Sequence, residues 1–148
     1  MQKLSTRQRT LAAAIEFSGY GVHSGQPVNL TISPAPADSG FLISRSMDGG
    51  TGTTPVHVHF SRVSRTTLCT TIDLGDSVNV ATIEHVTSAL SGMGVDNALI
   101  SIDGSECPIL DGSSRPFAES ILRVGLEIQP AQRKFLKVMR AVTVRNND

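Results

Sequence analysis

Val28-Asn-Leu-Thr-Ile-Ser33 alternates apolar and polar positions and is rich in β-branched side chains, the pattern of a strand with one buried face. Thr10 to Phe17 reads the same way, and Ser18-Gly-Tyr-Gly21 between them supplies turn residues, so the two predict an early antiparallel pair. Pro34 to Gly40 is a turn by composition, Phe41-Leu-Ile-Ser44 a third strand, and Met47 to Pro55 an exposed loop rich in glycine and threonine. Val56 to Phe60 and Thr66 to Ile72 predict two further strands, with a turn at Leu74 to Ser77.

From Ile83 the period changes. Ile83, Val86, Ala89, Leu90 and Met93 fall near helical spacing, Thr82 is placed to cap the start, and Gly92 or Gly94 to end the last turn, so the pattern predicts a helix at about 83–92. Asn97 to Ile102 returns to strand. Asp111 to Pro116 then leads into a second helix, in which Phe117, Ile121 and Val124 repeat at i, i+4, i+7; Pro116 suits the first turn and Gly125 the far end. Glu119 and Arg123 are spaced for an exposed ion pair. Several strands, a helix, a strand and a helix make an α+β order: a two-layer sandwich of a largely antiparallel sheet with two helices on one face. After Pro130, Arg133 to Arg145 begins a new strand pattern, with Asn146-Asn-Asp148 where a hairpin turn would sit. The expected organisation is one domain over 1–130 and the start of a truncated second domain over 131–148.

Composition narrows the class. The chain has 148 residues, 39% hydrophobic and 18% charged, which fits one folded domain and not a disordered segment. Thirteen basic residues balance thirteen acidic ones, so no net field draws it to nucleic acid or anionic lipid. Leu11 to Ile15 is too short for a signal-peptide core, and no apolar run reaches membrane-spanning length, so a cytoplasmic protein with no integral membrane segment is expected. Cys69 and Cys107 are far apart with no paired spacing and read as free thiols.

Glu84-His85 is the most suggestive pair. A helix start carries partial positive charge and free N–H groups, which suit glutamate as carboxylate and histidine as neutral imidazole, the forms wanted in a general base and a zinc ligand. Neighbouring helical residues point about 100° apart, so one can hold a metal while the other reaches water beside it. Ordinary dipole complementarity explains the glutamate equally well. His57 and His59 share a face of a predicted strand, but two ligands make no structural zinc site. Pro108 to Ser114 reads as a turn and helix cap, or a polar site. Gly19 to Gly25 lies between strands, a context that excludes the dinucleotide fingerprint.

Taken together, Gly19-Tyr-Gly-Val-His-Ser-Gly25, Pro34-Ala-Pro-Ala37, Thr67-Leu-Cys-Thr70, Thr82-Ile-Glu-His85, Met93-Gly-Val-Asp-Asn97 and Pro108-Ile-Leu-Asp-Gly-Ser113 resemble, in order and spacing, the first domain of the UDP-3-O-acyl-N-acetylglucosamine deacetylase family. The resemblance covers about Arg9 to Arg145. It implies a zinc-dependent hydrolase that removes the acetyl group from UDP-3-O-acyl-N-acetylglucosamine on the way to lipid A in Gram-negative bacteria. It also implies two domains, of the ribosomal protein S5 domain 2-like kind, facing one another across a cleft that holds metal and substrate. By the same resemblance Glu84 is the general base, His85 a zinc ligand, and Leu68 and Cys69 line the substrate site. The family's other two ligands, a histidine and an aspartate four apart, belong to its second domain, and His85 is the last histidine here. One imidazole does not hold a catalytic zinc, so the site is expected to be incomplete and this chain alone inactive. The alternatives are a natural single-domain binding or regulatory relative without catalysis, and a structural domain with no ligand.

Overall fold

The computed structural model describes residues 6–46 and 52–145. Ten strands and two helices occur among them: β1 (Arg7–Leu11), β2 (Ile15–Tyr20), β3 (Pro27–Pro34), β4 (Phe41–Arg45), β5 (Val56–His57), β6 (Val63–Arg65), β7 (Thr71–Gly75), β8 (Val78–Val80), α1 (Glu84–Gly92), β9 (Ala98–Ile102), α2 (Arg115–Val124) and β10 (Leu126–Gln132). The main sheet runs β2-β3-β9-β4-β5, antiparallel throughout except where β4 lies parallel to β9. A three-stranded sheet β6-β7-β8 and a two-stranded ribbon β1-β10 flank it.

Alternation decides which face the core takes. Val28, Leu30 and Ile32 of β3 are buried at every second position, and the register sets Leu30 opposite Ile102 and Ile32 opposite Ile100, with Ile43 of β4 on the other side of Ile100. Both helices cover this sheet. α1 buries Val86, Ala89 and Leu90, and α2 buries Phe117 and Ile121, with the Phe117 ring 4.7 Å from that of Phe17 in β2. The result is the α+β two-layer sandwich that the pattern predicts.

Several local expectations are corrected. The run from Thr10 to Phe17 is two strands, because the Ala12 N–H turns to the Gly125 carbonyl (3.1 Å) and the chain passes from the β1-β10 ribbon into the main sheet. Val56 to Phe60 keeps only two strand residues, since the His59 ring accepts from the Ser61 N–H and starts a short 3-10 turn at Phe60–Arg62. Thr66 to Ile72 loops until Thr71, with Leu68 in the left-handed region at φ 63°. Asp76 and Ser77, both at positive φ, form a two-residue hairpin between β7 and β8. Glu119 pairs with Arg115 (2.6 Å) and not with Arg123. Arg133 to Arg145 takes no regular structure where a strand pattern is expected, and β10 occupies Leu126–Gln132 before it. Of the loop expected at Met47 to Pro55, residues 52–55 take no regular structure, and residues 47–51 and the predicted turn at 146–148 lie outside the described residues.

Candidate active site at the start of α1

Glu84 opens α1, as the periodicity predicts, but Thr82 does not cap the helix. The residue before the helix is Ile83, in helical conformation with no side-chain cap, and the Thr82 hydroxyl is turned instead to Glu106 Oε1 at 2.9 Å. Thr82 is buried, β-branched and left-handed at φ 59°, a conformation costing about 1–3 kcal/mol that persists only where its surroundings enforce it.

The loop at 66–70 is clipped to the helix start through both backbone polar groups of one residue, Thr70. The Thr70 N–H donates to Glu84 Oε2 at 3.0 Å, and the Thr70 carbonyl accepts from the Ile83 N–H at 3.3 Å. Among the described residues Glu84 Oε1 takes no hydrogen bond, nor does either ring nitrogen of the half-buried His85. Leu68 is 84% exposed, at the outer turn of the same loop, and Cys69 is half-buried behind it, its thiol 3.7 Å from the Thr71 hydroxyl.

A cleft of about 410 Å³ lies beside this loop, its lining including Thr67, Leu68 and Cys69 of the loop together with His23, Ser24 and Glu106. Of the four residues singled out by sequence, Leu68 and Cys69 line the cleft. Glu84 and His85 do not, although Glu84 is joined to its wall through Thr70. His57 and His59 lie elsewhere: His57 is in β5, and His59 bonds Ser61 and packs its ring on Phe60. Among the described residues no three side chains of the His, Cys, Asp and Glu types gather closely enough to hold a metal ion.

Sequence reasoning missed Glu106. It is 4% exposed, yet its carboxylate accepts from the Ser24 N–H (2.8 Å), the His23 N–H (3.1 and 3.2 Å) and the Thr82 hydroxyl. Burial alone would raise its pKa. Backbone hydrogen bonds from Ser24 and His23 and side-chain bonds from Ser24 and Thr82 outweigh that and hold it below its ordinary value. Gly21 is required beside it, because a Cβ there would collide with the Ser24 hydroxyl and the Glu106 carboxylate. No periodicity marks a lone acid in Ser105-Glu-Cys-Pro108; the only cue was the polar His23-Ser24 step in a loop read as a tight turn. Cys107 follows it and is fully buried, and burial, with the charges of Glu84 and Glu106 adding to it, pushes its thiol far up. Burial thus favours the protonated thiol, and Cys107 packs in the hydrophobic core.

Residues 8–148 match the family model described as LpxC, UDP-3-O-acyl N-acetylglycosamine deacetylase. Curated relatives with the name UDP-3-O-acyl-N-acetylglucosamine deacetylase include those of Pseudomonas entomophila, 44% identical over 96% of this chain, and Psychrobacter cryohalolentis, 41% identical over 99%. The chain spans 46% and 45% of their respective lengths, less than half of each. With nearly every described residue inside the match, this chain belongs to the UDP-3-O-acyl-N-acetylglucosamine deacetylase family.

Proposed function

We propose that this chain is the amino-terminal half of a cytoplasmic, zinc-dependent deacetylase of lipid A biosynthesis in Gram-negative bacteria, acting on UDP-3-O-acyl-N-acetylglucosamine. Residues 1–130 form its first domain and 131–148 lead into a second. The observation that carries the reading is the state of Glu84: one carboxylate oxygen is fixed by the Thr70 N–H, the other is open, and His85 stands next to it with both ring nitrogens unengaged among the described residues.

The residues present do not by themselves fit a zinc ion. A catalytic zinc takes three protein ligands and keeps a position open, whereas the described residues gather no such set. His85 is one donor, and the other two belong to the second half. In the completed site zinc would supply Lewis acidity to the acetamide carbonyl.

The rest is chemistry of this chain. Thr70 fixes the tilt of the Glu84 carboxylate, so its open oxygen can take the proton from the attacking water and later hand it to the leaving amine. Water adds to the carbonyl carbon, the C–N bond breaks, and acetate and the free amine of the sugar result. Leu68 and Cys69 present an apolar edge where substrate passes into the cleft.

The test is deacetylation of the UDP-sugar by this chain alone and by this chain mixed with the carboxyl-terminal half of the Pseudomonas entomophila relative. The chain alone is expected to be inactive and the mixture active, and Glu84→Ala is expected to cost the mixture roughly 10²–10⁴-fold in rate. An inactive mixture in which size exclusion shows the halves associated, or an active Glu84→Ala mixture, would overturn the reading.

A further inference from the structure

We infer that Glu106 is a positioning residue for the Glu84-His85 pair: its buried carboxylate holds Thr82 in the left-handed conformation and so fixes where α1 begins against the 66–70 loop. That this positioning serves catalysis rests on the function proposed above.

The chain of contacts is continuous. Glu106 is itself held from its backbone, since the Ala81 N–H donates to the Ser105 carbonyl (2.9 Å) and the Cys107 N–H to the Ala81 carbonyl (3.0 Å), pairing Ala81 with Glu106 in parallel register. That pairing sets the carboxylate beside the next residue, Thr82, whose hydroxyl it accepts at 2.9 Å. The two residues after Thr82 grip Thr70, Ile83 through its N–H and Glu84 through its carboxylate. A left-handed backbone at a β-branched residue reverses readily to an extended one unless something holds it. Such a reversal would swing Ile83 and Glu84 away from Thr70 and release the 66–70 loop. On its other side Glu106 accepts from His23 and Ser24, so one carboxylate ties the 21–25 loop to the residue that leads into the helix.

Glutamine matches it only in part. Donors meet both carboxylate oxygens, Ser24 and His23 at Oε2 and Thr82 and His23 at Oε1, so an amide nitrogen meets the His23 N–H in either orientation, and Thr82 could hold it only by turning its hydroxyl from donor to acceptor.

The test is amide hydrogen exchange at Thr70, read by NMR in this chain, with circular dichroism reporting whether each variant is folded. Glu106→Gln is expected to exchange Thr70 about tenfold faster. Thr82→Gly added to Glu106→Gln is expected to recover most of the protection, because glycine takes positive φ without a clamp; a residue that only stabilised the fold would show a further loss instead. Should Glu106→Gln not fold, Thr82→Val, which keeps the shape and removes the hydroxyl, is expected to give the same loss of Thr70 protection. In the mixture with the second half, Glu106→Gln is expected to lower kcat about tenfold with KM within about twofold, and Thr82→Gly to restore part of kcat. Unchanged Thr70 exchange in a folded variant, no recovery on adding Thr82→Gly, or an unchanged kcat would overturn the inference. The exchange measurement needs no catalysis, so an inactive wild-type mixture would count against the proposed function and leave the clamp decided by exchange.

Discussion

At the scale of single residues, Glu106 shows how burial and hydrogen bonding compete. Burial opposes its charge, and donors from Ser24, His23 and Thr82 more than compensate, so its carboxyl ionises below the ordinary value of 4.5. The unfolded chain then takes up the proton first as acid is added. Its stabilising contribution is therefore complete above about pH 4.5 and is lost as pH falls through the lower native value. Glu106→Gln has no such titration. At neutral pH it should cost about 1–3 kcal/mol, the usual penalty for a buried donor left unmatched. The gap between wild type and variant in urea midpoint should hold steady above about pH 4.5 and narrow as the pH falls below it. A gap independent of pH would show that the carboxylate is not ionised in the native state. Beyond the polar His23-Ser24 step nothing in the sequence points to this residue, since a buried carboxylate is defined by donors from positions 23, 24 and 82, far away in the chain. Glu84 and His85 were legible because a change of period places them at a helix start. The left-handed Thr82 and Leu68 were not, because threonine and leucine carry no preference for that conformation and only tertiary contacts impose it.

At the scale of elements, periodicity gave α1, α2, β3, β4 and β9 nearly residue for residue, since each buries one face against the same core and so shows its period in the chain. It failed where a partner lies far off. β10 carries Pro130 and pairs with β1 across more than a hundred residues, and buried Asn97 holds that junction, donating to Gln8 (2.8 Å) and Gln129 (2.7 Å). Threonine-rich 66–70 has strand propensity, but the N–H and carbonyl of Thr70 are engaged by Glu84 and Ile83 and not by a ladder. α2 reaches the site only through packing, its contacts falling mainly on α1 and β2. Phe117 is its anchor, fully buried against Phe17. Phe117→Ala should destabilise the fold by about 3–5 kcal/mol in urea unfolding and loosen α1 with it. A cost below about 1 kcal/mol would mean that the helical layer is not held by this contact.

At the scale of the whole molecule, the sandwich ends in a polar latch and an apolar run. Arg133 donates to Asp96 at 2.8 Å and to the Gly94 carbonyl at 3.3 Å, and both charged side chains are largely covered. Beyond it every described residue from 134 to 145 is exposed, and Phe135, Leu136, Val138, Met139, Val142 and Val144 lie outside the core. Lys134 reaches Asp38 at 3.5 Å, but both are open to solvent, where such a pair is screened. The alternation that predicts a strand here is genuine, but a strand needs a neighbour to satisfy its ladder, and among the described residues it has none. In the two-domain reading that neighbour is the second half. Deleting residues 134–148 should therefore change the stability of this chain by no more than about 0.5 kcal/mol, as for other surface changes. Arg133→Ala should cost about 1–3 kcal/mol, because it takes the cationic partner from a largely covered Asp96, which keeps only the Arg9 N–H at 2.8 Å. Urea unfolding of the two variants distinguishes the latch from the run. If the deletion costs as much as Arg133→Ala, the run packs on the sandwich in solution, and an apolar face awaiting the second half would have to be sought elsewhere on this chain.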